Sequence, residues 1–416
     1  MQAHNKPKKI AWPQDQIRQA FPYLNLPIQD QALIYLDTAA TSQKPQKVID
    51  KLSHVYATQS ANVHRGIYQL ADQATQAYEA CRQTVADFCG AESAKEILFN
   101  GGTTIGLNFL AQSLVKPRMK AGDRILTTRL EHHSNLVPWQ VLCQETGSQL
   151  HYLKLKPNYQ VDLADLQVQL ETGAKALVIH HVSNVLGVIQ DLKALAELAH
   201  QYDCLLIVDG AQAAGHLPLA ISDWDVDAYV WSSHKMYGPS GLGLCYLKSD
   251  LQDQCRPFFY GGEMIHQVND YEASYKEGPW KFEGGTPPLA QVLALPESIA
   301  FIQDLELSAI QKHELDLAAY ARQGLGELGG FDIYSPPGTG ILAFNIQDVH
   351  PHDAATAYDL EGVALRAGHH CAQVLMRQLQ IPACLRVSLG VYNTQAEIDA
   401  FLATSQKVKE FFTHGA

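Results

Sequence analysis

The chain has 416 residues, 46% of them hydrophobic and 18% charged, and carries a formal net charge of −12. Its length fits two domains or one elaborated domain with a large core. The negative charge, with no basic run beyond residues 6–9, argues against nucleic acid and anionic membranes as partners.

The apolar stretches and the cysteines indicate the compartment. No stretch reaches membrane-spanning length and the N-terminus lacks the apolar core of a signal peptide, so we expect a cytoplasmic protein. The eight cysteines form no C-x-x-C pair and several lie in apolar runs, which is typical of buried, reduced thiols. Cys371 is the exception, because it follows a polar Gly-His-His segment.

Residues 1–30 contain four prolines and are predicted to form an arm that docks on the rest of the chain. From residue 33 onward, short apolar runs alternate with helical patterns. This alternation predicts an α/β fold with a mainly parallel sheet between helices and with the chemistry at the carboxyl ends of the strands. The predicted strands span 33–37, 96–100, 124–127, 176–181, 204–209, 228–231 and 241–247, and the helices 45–56, 68–88, 105–115 and 192–202.

A glycine- and hydroxyl-rich junction follows the second predicted strand. The strand at 96–100 runs into Gly101-Gly102-Thr103-Thr104 and then into a helix. Free backbone N–H groups and the positive end of a helix at such a junction bind phosphate. The same residues also form an ordinary helix N-cap, so this junction alone does not identify a phosphate site.

Two later strands end in residues that suit pyridoxal phosphate (PLP). One buried strand ends in Asp209, whose carboxylate would pair with a protonated pyridine nitrogen. The next strand delivers Ser232-Ser233-His234-Lys235, where the lysine fits a Schiff base and the preceding side chains fit a phosphate. Each motif alone also occurs in unrelated α/β proteins, so the assignment depends on their combination.

The second half of the chain is predicted to begin with a long connection, 258–285, which is rich in glycine and aromatic residues and suits a functional or oligomer-contacting loop. A second domain follows, with helices at 289–305, 310–328, 352–361 and 394–412 and strands at 341–346, 363–366 and 385–389. The predicted organisation is an arm, 1–30, that joins the small domain, a large domain, 31–295, and a small C-terminal domain, 296–416.

Taken together, these motifs resemble the SufS-type (group II) cysteine desulfurases, from about residue 33 to the C-terminal helix. The resemblance implies a PLP-dependent fold of type I, with a large domain of mainly parallel sheet sandwiched by helices and a smaller α+β C-terminal domain. Its most specific segments are Asn62-Val-His64-Arg65-Gly66, Glu131-His132-His133, Ser233-His234-Lys235 and Arg366-Ala-Gly-His-His-Cys371.

The resemblance also implies roles for individual residues. Lys235 would attach the cofactor and move the substrate's α-proton, Asp209 would keep the ring nitrogen protonated, and His132 would stack on the ring. Cys371 would be the nucleophile that takes sulfur from L-cysteine as a persulfide. Further cofactor-binding residues would be Thr103, Thr104, Asn184, Gln212, Ser232, His234 and, from the partner subunit of a homodimer, Thr286. Substrate-binding residues would be Arg386, Asn184, His64 and Arg366.

Several functions remain open from the sequence. The first is a cysteine desulfurase that feeds iron–sulfur cluster assembly through an acceptor of SufU or SufE type, and a selenocysteine lyase would share every motif. Transamination would leave Cys371 without a purpose, and the complete set of catalytic residues argues against a scaffold protein.

Three histidine pairs, at 132/133, 180/181 and 369/370, raise the question of a metal site. None has the spacing of a complete zinc site, and His180-His181 is better explained by strand packing. Residues 348–353 resemble a segment of those Gram-positive family members that work with the zinc-containing acceptor SufU, which implies that His352 contacts a partner's metal; the alternative is a helix-capping loop. We therefore predict no resident metal.

Overall fold

The computed structural model describes residues 12–28 and 31–414. A seven-stranded sheet lies between layers of helices, and a smaller four-stranded sheet with its own helices follows it in the chain. Within the described residues, no helix is long and apolar enough to cross a membrane. The predicted α/β class with a mainly parallel sheet is confirmed.

The large sheet is parallel except for one strand. The strand Gly243–Leu247 runs antiparallel to both of its neighbours, while the other neighbouring strands pair in parallel. Its central strands are continuous apolar runs because both faces are buried by helices. The spatial order is Ile97–Asn100, Gly243–Leu247, Ala228–Ser232, Leu205–Asp209, Ala174–His180, Arg124–Thr127 and Gln149–Tyr152.

The covering helices bury apolar stripes against this sheet. The longest, Gln69–Cys89, turns Ala74, Tyr78 and Val85 inward and ends at Gly90, whose φ of 72° suits a glycine cap. The predicted helix 105–115 differs: an α-helix, Thr103–Phe109, passes into a π-helical turn, Leu110–Val115. The other helices of this part are Gln46–Thr58, Val137–Thr146, Leu163–Glu171, Leu192–His200, Ser249–Gln252 and Leu289–Leu305.

The C-terminal part forms an antiparallel sheet in the order Phe331–Ile333, Ile341–Ile346, Cys384–Ser388 and Arg366–Gly368. Its helices are Leu307–Leu328, Pro351–Leu360, Gln373–Leu379 and Gln395–His414.

The predicted strand 363–366 is wrong as a single element. Val363–Ala364 pairs in parallel with Ile34–Tyr35, whereas Arg366–Gly368 joins the four-stranded sheet. The chain thus changes partners at Leu365, which a short apolar run does not reveal.

The predicted N-terminal arm is described only from residue 12, and residues 1–11, 29 and 30 lie outside the described residues. The Trp12 ring stacks on His313 at a centroid distance of 4.3 Å. Arg18 pairs with Glu397 at 2.6 Å. Both contacts reach the C-terminal part of the chain. The domain boundaries themselves stay a prediction.

The long connection 258–285 contains a short hairpin, Ile265–Val268 and Ala273–Tyr275. Its tip is exposed, with Tyr271 fully accessible.

Candidate active site

A cavity of about 240 Å³ opens at the carboxyl ends of the parallel strands, beside the C-terminal sheet. It collects side chains from both sheets because the strand Cys384–Ser388 and the loop after Arg366–Gly368 face the same edge as the large sheet's strand ends. The predicted site residues that line it are Thr103, Thr104, His132, Asn184, Asp209, Gln212, Ser232, His234, Lys235, Arg366, Cys371 and Arg386.

One end of the cavity is a cluster of hydroxyls at the start of the helix Thr103–Phe109. The Thr103 N–H donates to Ser232 Oγ over 2.8 Å, and the two side-chain hydroxyls lie 2.7 Å apart. Thr104 Oγ1 lies 2.7 Å from Ser134 Oγ. The turn before the helix is packed so closely that a Cβ on Gly243 would lie 2.3 Å from the Gly102 nitrogen. Hydroxyls in this compact arrangement suit a phosphate group.

Lys235 and Asp209 supply an amine and a carboxylate to the cavity. Lys235 lies in the turn after Ala228–Ser232, and burial lowers its pKa to about 8 although the Asp209 carboxylate opposes that shift. Asp209 ends its strand, is 6% exposed and accepts a hydrogen bond from the Ala211 N–H over 3.0 Å. Burial raises the pKa of Asp209. A cationic N–H placed beside this carboxylate would therefore be strongly bound.

His132 contributes a neutral ring to the cavity wall. Its Nδ1 accepts a hydrogen bond from the Ser134 N–H over 3.1 Å, so Nε2 carries the proton. Burial, together with the nearby Lys235, lowers the pKa of His132 to about 3. An uncharged imidazole can stack on an aromatic ring without repelling a protonated ring nitrogen.

Arg386 is a buried guanidinium that uses two of its five N–H donors in hydrogen bonds to described residues. Its Nη1 donates to the Asn184 carbonyl and its Nη2 to Asp37 Oδ1, both over 2.8 Å. Its Nε is buried and has no hydrogen-bond partner among the described residues. The group is therefore fixed in orientation and still able to bind a carboxylate.

Cys371 lies at the mouth of the cavity, between Arg366–Gly368 and the helix Gln373–Leu379. All eight cysteines are within the described ranges, and Cys371 is the exposed one. Cys371 and His370 adopt positive φ angles of 54° and 51°. Such backbone conformations are uncommon outside glycine and cluster at functional sites.

Two predicted site residues lie away from the cavity in the single chain. His64 Nε2 lies 2.9 Å from Glu79 Oε1, outside the cavity lining. Thr286 is exposed on a neighbouring depression that it shares with Gly101 and Ile105. The roles predicted for both residues stay predictions.

Sequence reasoning missed Asp37 and Ser134, and it assigned His180 only to packing. His180 does bond to the buried Glu131 carboxylate, at 2.7 Å, but it also lines the cavity. Asp37 ends a predicted strand, as Asp209 does, and this signal could have placed it at the site. Ser134 follows the histidine pair but belongs to no recognisable motif.

His352 fits the helix-capping alternative, because His350 Nδ1 accepts the His352 N–H over 3.3 Å at the start of Pro351–Leu360.

The cavity can hold a phosphorylated pyridine aldehyde. The hydroxyl cluster suits the phosphate, Asp209 suits the ring nitrogen and Lys235 suits the aldehyde carbon. Pyridoxal phosphate, which the resemblance implies, has these three groups. The Arg386 Nε, which has no partner among the described residues, is a further donor that suits an anionic group.

Comparison with known proteins matches residues 34–401 to the aminotransferase class-V family. The chain is 43% identical to a probable cysteine desulfurase of Halalkalibacterium halodurans, over 96% of this chain and 98% of that one. It is 40% identical to a probable cysteine desulfurase of Staphylococcus aureus strain Mu50, over 95% of this chain and 96% of that one. The crystal structure of the Escherichia coli cysteine desulfurase CsdA, in its S-sulfonic acid form, superposes with a TM-score of 0.90 at 35% identity, over 97% of this chain and 100% of that chain.

Proposed function

The chain belongs to the aminotransferase class-V family, and from this premise we propose that it is a PLP-dependent cysteine desulfurase that converts L-cysteine to L-alanine. The sulfur would be carried as a persulfide on Cys371. One observation carries the proposal: an exposed thiol, a lysine of lowered pKa and a buried carboxylate line one cavity. A transaminase would need the lysine and the carboxylate but not the thiol.

The chain's own residues would bind and orient the substrate. Arg386 would receive the α-carboxylate through its unpartnered Nε and its remaining Nη hydrogens, with Asn184 holding the guanidinium in place. Lys235 would take and return the α-proton, which its lowered pKa favours near neutral pH. When bound, pyridoxal phosphate supplies an electron sink for the pair released at the α-carbon.

The sulfur transfer balances without an external oxidant. The Cys371 sulfur attacks the substrate sulfur, so that an S–S bond forms while the C–S bond of the substrate breaks. The electron pair of that bond passes to the β-carbon, which takes up a proton to become the methyl group of alanine. Two thiols thus become one alanine and one persulfide, with the carbon reduced and the sulfur oxidised.

We further propose that the protein is a homodimer and passes its sulfur to an acceptor of SufU or SufE type for iron–sulfur cluster assembly. Large exposed apolar side chains support a partner subunit, among them Tyr56, Ile67, Leu70 and Tyr271. A second subunit could also complete the site with Thr286 and His64. The exposure of Cys371 supports transfer to another protein.

Alanine release and intact mass test the proposed reaction. The PLP-loaded protein is mixed with L-cysteine, and the variant Cys371→Ser is compared with Cys143→Ala, which removes a buried thiol. We expect wild type and Cys143→Ala to form alanine and to gain one sulfur per chain, and Cys371→Ser to gain none.

Wild type that binds the cofactor but neither forms alanine nor gains sulfur would overturn the proposal. Because a selenol would occupy the same site, L-selenocysteine is assayed in parallel. Faster alanine release from it than from L-cysteine would assign the selenium substrate instead.

A further inference from the structure

The segment that carries Cys371 is held in an unfavourable backbone conformation. His370 and Cys371 are consecutive residues with positive φ, and neither is glycine. This backbone conformation is unfavourable for a residue other than glycine, and it persists only where the surrounding structure holds it. Contacts from outside the segment must therefore hold the nucleophile where it is.

Those contacts come from two loops at the edge of the large sheet. Asn184 Nδ2 donates to the His370 carbonyl over 2.8 Å. The His133 N–H donates to the Cys371 carbonyl over 2.7 Å. The Gln373 N–H then donates to His133 Nε2 over 3.2 Å. His133 thus bonds the residue that bears the thiol and also the second residue after it.

The His133 side chain acts as a cap for the helix Gln373–Leu379. Gln373 is the first residue of that helix, and its N–H has no partner within the helix itself. The acceptor comes instead from a residue 240 positions away in the chain. A neutral ring is required because Nε2 must accept, and burial together with the nearby His369 lowers the pKa of His133.

His133 does not line the cavity, whereas its neighbour His132 does. A change of the His133 side chain therefore leaves the cavity wall intact while it removes one of the three contacts described, the hydrogen bond from the Gln373 N–H. We propose that His133 is a positioning residue that clamps the Cys371 segment for sulfur transfer, an inference that rests on the proposed function.

The test changes the His133–Gln373 hydrogen bond at each of its two ends. His133→Leu removes the acceptor, and Gln373→Pro removes the donor at the first helical position, where proline is well tolerated. His133→Gln is the conservative control because its side-chain oxygen can accept the same N–H. The PLP-loaded proteins are compared by single-turnover persulfide formation, by the cysteine-induced change in cofactor absorbance, and by hydrogen–deuterium exchange of the 367–379 peptide.

We expect His133→Leu and Gln373→Pro each to slow persulfide formation roughly five-fold, the equivalent of one lost hydrogen bond. The double variant should form persulfide no more slowly than either single variant, because both changes remove the same hydrogen bond. The absorbance change on cysteine binding should stay within about two-fold of wild type. Exchange of the 367–379 peptide should accelerate in both variants, and His133→Gln should restore wild-type behaviour.

The proposal is overturned if His133→Leu forms persulfide at the wild-type rate, if His133→Gln is as slow as His133→Leu, or if cofactor binding falls in parallel. If wild type itself forms no persulfide, the proposed function fails. The exchange measurement then still shows whether the clamp holds the segment.

Discussion

Replacement of Arg386 by lysine should impair the reaction with L-cysteine while leaving the binding of a substrate without a carboxylate almost unchanged. Arg386 is 2% exposed and bonds Asn184 and Asp37, which fix the guanidinium in one orientation. Its Nε has no hydrogen-bond partner among the described residues, and under the proposed function it would donate to the substrate carboxylate. Lysine keeps the charge but loses this fixed fork of donors.

A hydrogen bond to a charged group contributes about 1.5–3 kcal/mol. The kcat/KM for L-cysteine should therefore fall roughly 10- to 150-fold in Arg386→Lys. Initial rates of alanine release measure this loss. Cysteamine, which is cysteine without its carboxylate, should bind within about two-fold of wild type when followed by cofactor absorbance.

The exposed Arg377, which does not line the cavity, is the matched control, and Arg377→Lys should be neutral. A kcat/KM for L-cysteine in Arg386→Lys within about three-fold of wild type would refute the reasoning. So would an equal loss for cysteamine.

Further predictions concern the fold and the lysine. Arg82 is 1% exposed and pairs with Glu283 over 2.6 Å, so Arg82→Met should lower the free energy of unfolding by about 3–5 kcal/mol in denaturant titrations; a loss below about 1 kcal/mol would contradict the importance of the pair. Because the pKa of Lys235 is lowered to about 8, cofactor attachment to the apoprotein should accelerate up to about pH 8 and then level off; a rate that rises steadily to pH 10 would indicate an ordinary lysine. A hydrogen bond to Asp227 raises the pKa of His200 above 6.5, so its stabilisation is complete below pH 6.5 and is lost as pH rises through the folded-state pKa. The destabilisation by His200→Gln should accordingly be larger at pH 6 than at pH 9, by less than about 1 kcal/mol, and equal values would disprove the link.

The sequence predicted the parts of the site that are local to strand ends. Asp209 and Lys235 each follow an apolar run that becomes a buried parallel strand, so the common edge of the sheet brings them together. Cys371 was distinguished from the other cysteines by a different route, because it follows a polar Gly-His-His segment, and it is the exposed cysteine.

Contacts between distant segments could not be predicted. The Arg386–Asp37 pair joins residues 349 positions apart, and the His133–Gln373 bond spans 240. Neither contact leaves a pattern in the local sequence, because each depends on how the C-terminal sheet packs on the large sheet. The division of 363–366 between two sheets has the same origin.

The location of the transferred sulfur decides whether Cys371 carries it. L-cysteine labelled with a heavy sulfur isotope is given to the PLP-loaded protein, and the digested chain is mapped by mass spectrometry without reductant. We expect labelled sulfur on the peptide that contains Cys371, at up to one atom per chain. Alanine release with the label on any other cysteine, or on none, would contradict this expectation.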